Sequence, residues 1–165
     1  METVREDACI ATERLQRDCR KGEQHSLDPV NKLQFRFLSR SENVSLARLL
    51  AAAAVADKDT TVAELDEIKV AVSEAVSNAI IHGYEGRDDC YVEMSLALTP
   101  EQLVITVHDD GVGIADIEQA IKPSYSAKRD RMGLGFAFMH SFMDAVDVVS
   151  TPGAGTTVTL YKDLP

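Results

Sequence analysis

The spacing of apolar residues switches repeatedly between two periods along this chain, and that alternation constrains the fold more than any other feature. Leu33, Phe35 and Phe37 alternate with Lys32, Gln34 and Arg36, the two-residue period of a half-buried strand. Ser41 and Glu42 open a helix that continues through an alanine-rich stretch to about Ala56, where small side chains let another helix pack closely. From about Val62 to His82, residues Leu65, Ile68, Val72, Ala75, Val76 and Ala79 fall on one helical stripe, and Gly83 and Gly86 end it. Residues 90–98 and 102–109 read as strands joined by a turn at Thr99–Pro100. A short helix near 115–121, an irregular polar segment to Met132 and a helix from about Leu134 to Ala145 follow. Strands 146–151 and 156–162 flank the turn Pro152–Gly155. The order strand, two helices, two strands, helices, two strands predicts an α+β fold. It is a two-layer sandwich, with helices on one face of a mixed, mostly antiparallel sheet.

At 165 residues the chain has a one-domain length. Residues 31–165 form that domain, and residues 1–30 read as an N-terminal helical extension and linker. In the extension Val4, Ala8, Ala11 and Leu15 take helical spacing among charges, and Gly22 offers a stop. A net charge of −10 speaks against direct nucleic-acid binding, because phosphates would be repelled, and leaves an acidic face for a basic protein partner. Cys9, Cys19 and Cys90 are odd in number and lack metal-site spacing, so three reduced thiols are expected. The N-terminus is charged from Glu2 onward, and the most apolar run, Leu49 to Ala56, is too short to span a bilayer. The expected location is the cytoplasm, with no membrane contact.

Four segments carry potential chemistry. Glu74, Asn78 and His82 lie at i, i+4 and i+8 beside the apolar stripe of the second helix. They are either a solvated polar edge or a carboxylate base beside an amide that binds a hard cation. Asp109-Asp110-Gly111-Val112-Gly113 follows a strand directly. It is either an ordinary turn or a carboxylate that accepts from an exocyclic amine, with glycines opening the backbone to a ligand. Gly133-Leu134-Gly135-Phe136 opens a helix, where exposed amides and the positive dipole end suit phosphate. Lys128, Arg129 and Arg131 precede it, a basic cluster in an acidic chain. Gly155-Thr156-Thr157 enters the last strand.

Separately these are weak signals; together, in this order, they form a specific pattern. E-x-x-x-N on a helix, D-x-G-x-G after a strand, G-x-G-F opening a helix and G-T before the last strand resemble the GHKL family of ATPases and kinases. The segments S-E-A-V-S-N-A-I-I-H-G-Y (73–84), D-G-V-G-I (110–114), M-G-L-G-F (132–136) and F-M-D (142–144) further resemble the sporulation anti-sigma factors of the anti-sigma-F type, over about residues 33–162. The resemblance implies a GHKL (histidine-kinase-like) ATP-binding fold that takes ATP or ADP with Mg²⁺. It implies a homodimer, formed through the strand at 32–38 and the alanine-rich helix, that binds an RNA polymerase sigma factor. It also implies an ATP-dependent protein-serine kinase that phosphorylates an anti-anti-sigma protein.

Carried over by position, the resemblance makes Glu74 the catalytic base and Asn78 the Mg²⁺ ligand. Asp109 reads the adenine amine, Gly111 and Gly113 line the base, and Thr156 lies near the adenine side. Gly133 and Gly135 border the phosphates with Lys128 and Arg131, while Arg48 and Arg131 face the partner. The first thirty or so residues have no counterpart in that family. The segment from Pro123 to Gly133 is shorter than in those proteins and carries Ser126-Ala127-Lys128-Arg129. Two alternatives use the same motifs: a non-catalytic, nucleotide-dependent binding switch, and a detached histidine-kinase ATP-binding domain. Glu74 favours the kinase, because binding alone needs no base.

Overall fold

The structure is a computed structural model that describes residues 29–121 and 132–165. Its elements in chain order are β1 (Asn31–Leu38), α1 (Glu42–Ala54), α2 (Val62–Asn78), a π-helical turn (Ala79–Gly83), β2 (Tyr91–Leu98), β3 (Gln102–Asp109), α3 (Ile117–Ile121), α4 (Met132–Phe142), β4 (Ala145–Thr151) and β5 (Gly155–Asp163). The strands form one sheet in the order β1-β2-β3-β5-β4. The predicted N-terminal helix, Cys9, Cys19, Lys128, Arg129 and Arg131 lie outside the described residues.

The α+β sandwich is as the sequence predicts, with one difference: the four strand pairings are all antiparallel rather than mixed. The connections explain why. Two helices between β1 and β2 return the chain to the end from which it left, so the next strand runs the opposite way. Between β3 and β4 the crossover leaves those two strands parallel, but β5 folds back as a hairpin and inserts between them. No parallel pair therefore becomes adjacent.

Alternation along the strands builds the core. Val92, Met94 and Leu96 of β2, Leu103, Ile105 and Val107 of β3, and Val158 and Leu160 of β5 all join one buried cluster. Ile68, Ala71, Val72, Ala75 and Val76 of α2 cover them, with Ala47 and Ala51 of α1 and Phe136 and Met139 of α4 on either side. Thr61 starts α2 with a reciprocal capping box to Glu64. At its far end α2 does not stop at Gly83 as a plain helix. It widens into the π turn at Ala79–Gly83, a departure from the helix expected through His82.

Candidate functional site

Beneath that π turn lies a cavity of about 230 Å³. It is lined by Ala75, Asn78, Ala79, His82 and Gly83 from the helical layer and by Val107, Asp109, Thr156 and Val158 from the sheet. Gly113, Ile114, Ala115 and Phe136 close it. All four sequence segments thus contribute to one place, although they lie far apart in the chain. The walls are mostly apolar with a few convergent polar groups, the usual composition of a small-molecule site.

Asp109 dominates the sheet side. Residues 103, 105, 107 and 109 share one face of β3, so a carboxylate takes the position where the strand's pattern calls for another apolar residue. It is 4% exposed. Burial pushes its carboxyl above the usual 3.8, against the opposing pull of the Gly111 amide, of His108 and of the Thr156 amide. One oxygen, Oδ1, accepts the Gly111 N–H at 2.9 Å.

The glycines around Asp109 are there for close approach. A Cβ on Gly83 would sit 2.5 Å from Asp109 Oδ1, and one on Gly111 would strike the Gly83 carbonyl. Gly155, at φ +91°, lies against the Asp109 carbonyl, and Gly113, at φ +70°, against that of Thr151. Gly113 lines the cavity, whereas Gly111 is buried behind Asp109 and holds it. Thr156, the register partner of Asp109, is buried and shares a 2.9 Å hydrogen bond with Ser150 Oγ.

The helix side carries the second group. Asn78 lines the cavity, and its Nδ2 is buried without a hydrogen-bond partner. A buried N–H donor left unpaired costs stability and suits an acceptor such as a phosphate oxygen, while the amide oxygen of the same side chain is the atom that a cation would take. Glu74 stands one turn earlier. A Cβ at Gly135 would come within 2.8 Å of Glu74 Oε2 and 3.4 Å of Asn78 Nδ2. A larger residue there would make the Glu74 carboxylate shift, so the glycine lets the first turn of α4 lie this close to it. Glu74, Asn78 and the N-terminus of α4, which contains Gly133 and Gly135, therefore converge. His82 also lines the cavity, because the π turn brings the residues after Asn78 round to the same wall. Arg48 is exposed on α1 and takes no part in the cavity.

Magnesium and a nucleotide fit this donor set. Among the described residues no group of three or more His, Cys, Asp or Glu could hold a metal ion. The lone amide of Asn78 instead matches a cation that keeps its water and phosphate ligands. The sequence does not expose Gly83 as part of the site or Ser150 as a brace behind it. Gly83 reads as a helix stop. Ser150 sits in an ordinary strand, yet its hydroxyl accepts the Ile114 N–H at 2.8 Å and meets the Gly155 carbonyl at 2.9 Å.

Residues 37–162 match the family described as the histidine kinase-like ATPase domain. The anti-sigma F factor of Clostridium beijerinckii is 46% identical over 134 residues, which are 80% of this chain and 94% of that protein. That of Pasteuria penetrans is 47% identical over 137 residues, 81% of this chain and 91% of that one. That of Halalkalibacterium halodurans is 45% identical over 136 residues, 81% and 93%. Among solved structures, the histidine kinase domain of the blue-light activated kinase of Erythrobacter litoralis EL346 has 22% identity and a TM-score of 0.47. That match covers 74% of this chain and 64% of the other.

Proposed function

This chain belongs to the histidine kinase-like ATPase domain family, within the group of the anti-sigma F factors, and from that premise we propose that it binds and inhibits an RNA polymerase sigma factor and uses Mg-ATP to phosphorylate a serine of an anti-anti-sigma protein. The observation that carries this reading is one cavity lined by a buried carboxylate on the sheet and by Asn78 on the helix side, with Glu74 next to Asn78 at Gly135 in the first turn of α4.

In this reading Asp109 accepts a hydrogen bond from the adenine amine. The Gly111 amide occupies Oδ1, which leaves Oδ2 for the base. Asn78 holds Mg²⁺ through its amide oxygen, and the ion when bound neutralises phosphate charge. The backbone amides at the N-terminus of α4, at Gly133 and Gly135, lie toward the phosphates, where the helix dipole favours negative charge. Lys128 and Arg131 add cationic contacts to them. Glu74 accepts the proton of the partner's serine hydroxyl as the serine oxygen bonds to the γ-phosphorus and the bond to the β,γ-bridging oxygen breaks, with ADP as the leaving group.

The chain acts in the cytosol as a homodimer through β1 and α1, and Arg48 and Arg131 face the sigma factor. No described helix is long and apolar enough to cross a membrane. The test is a pull-down from the native cell with ATP, with ADP and without nucleotide, followed by single-turnover transfer of labelled γ-phosphate to the captured small partner. Capture of a sigma factor together with serine phosphorylation supports the full reading. Nucleotide and sigma-factor binding without any transfer replaces it with a non-catalytic switch.

A further inference from the structure

The end of β3 carries polar groups on both faces of the sheet. Asp109 faces the cavity; His108, by strand parity, lies on the opposite face, which no described element covers. Both nitrogens of the His108 ring are engaged. Nδ1 lies 2.9 Å from Oγ1 of Thr157, its register partner on β5, and Nε2 lies 3.2 Å from Asp110 Oδ1. The Asp110 N–H donates to the hydroxyl of buried Tyr84 at 2.9 Å, and that hydroxyl donates to the Tyr91 carbonyl. Asp110 is thus held twice, by its main chain through Tyr84 and by its side chain through His108. Asp109 is the residue between His108 and Asp110, so these tethers bracket it.

Stability alone is a poor reason for such a cluster. The side chains of His108 and Asp110 are 33% and 69% exposed, and ion pairs so exposed contribute little. The chemistry of the contacts is more telling. An ionised Asp110 can only accept, so Nε2 carries the proton of a neutral ring, and Nδ1 accepts from the Thr157 hydroxyl. In the cationic ring Nδ1 donates instead, and the hydroxyl turns to accept. The ring therefore stays paired in both charge states, while its charge sets how firmly Asp110 is held. Other charged groups around it are Glu93, its register partner on β2, and Asp109 on its own strand; Glu93 is paired with Arg36 of β1 at 3.5 Å. On the β5 side stands the neutral Thr157.

We propose that His108 is a positioning residue for base recognition: by tying Asp110 to β5 it fixes the end of β3 with Asp109 facing the base, and protonation of the ring tightens that tie. The proposal rests on Asp109 being the residue that reads adenine.

Calorimetric titration of the full chain with ADP and with GDP, between about pH 5 and 8 where imidazole side chains change charge, tests it. His108→Gln should bind ADP about three- to tenfold more weakly than the wild type at the acidic end, the fold-change of one net hydrogen bond. The gap should narrow as pH rises, with the melting temperature unchanged. Asp110→Asn should flatten the same pH-dependent difference. Wild-type ADP affinity in His108→Gln, or a deficit constant across pH, overturns the proposal. If His108→Gln melts lower, Thr157→Val takes its place as an isostere lacking the β5 anchor; unchanged ADP affinity in that variant overturns it equally. A wild type that does not prefer ADP to GDP refutes the Asp109 assignment itself, and the proposal falls with it. Preference for ADP in the wild type with an unaltered His108→Gln overturns the His108 role alone.

Discussion

At the scale of single residues, the site depends on two acids in contrasting surroundings. Asp109 is buried, and burial raises its carboxyl above 3.8. For an acid this sign means that ionisation costs folding energy, and stability is gained as pH falls through the raised value. Asp109→Asn should therefore melt no lower than the wild type, because an amide oxygen still accepts the Gly111 N–H at no cost in charge. It should nevertheless bind ADP about tenfold or more weakly, since a hydrogen bond to a charged acceptor is lost. Thermal melts and calorimetry on the same samples check both halves. The same raised value predicts that nucleotide affinity falls on acidification sooner than an ordinary carboxylate would allow, and Asp109→Asn should lack that fall. Glu74 is half-buried beside Gly135 rather than sealed in the core. Glu74→Gln should keep nucleotide and sigma-factor binding yet slow transfer by about 10²–10⁴-fold, the usual contribution of a general base. Single-turnover transfer measures this, and a wild-type rate would move the base elsewhere.

At the scale of elements, the junction of α2 with the π turn organises the cavity. The turn ends at Gly83, where a side chain would drive into Asp109. Gly83→Ala should therefore cost about 1–3 kcal/mol of stability through overpacking and weaken ADP binding, because the carboxylate must shift. Gly135→Ala meets Glu74 and Asn78 instead of Asp109. It should impair transfer more than base recognition, so ATP over GTP preference survives while turnover falls. Chemical denaturation and paired nucleotide titrations separate the two glycines. Their motif neighbours were legible in the sequence as G-x-G-F and D-x-G-x-G. The reason for Gly83 was not, because its partner is 26 positions away in the chain and meets it only when α2 packs on β3.

At the scale of the whole molecule, β1 is an edge strand, and α1 leaves Leu46, Leu49 and Arg48 exposed. A self-complementary interface through β1 and α1 would cover that edge and those leucines together. Light scattering at micromolar concentration should report a dimer, and removal of residues 1–29 should leave it dimeric; a monomeric full chain would end the dimer reading. Arg48→Ala should weaken sigma-factor capture while leaving ADP affinity unchanged, since Arg48 stands apart from the cavity. Equal capture by both proteins would make Arg48 an ordinary surface charge.

The sequence by itself determined the layer architecture and the family. Both rest on local signals: apolar period for the strands and helices, and motifs short enough to be read in one pass, as with Glu74 and Asn78 or Asp109 and Gly113. The tertiary structure alone decided what depends on contacts between distant segments. The insertion of β5 between β3 and β4 makes the sheet wholly antiparallel, the packing of Gly83 on Asp109 shapes the cavity, and Gly135 brings α4 onto Glu74 and Asn78. The His108, Asp110 and Thr157 cluster forms only because antiparallel register sets Thr157 of β5 opposite His108 of β3. Close approach and register are fixed by how whole elements pack, and no local run of residues records them.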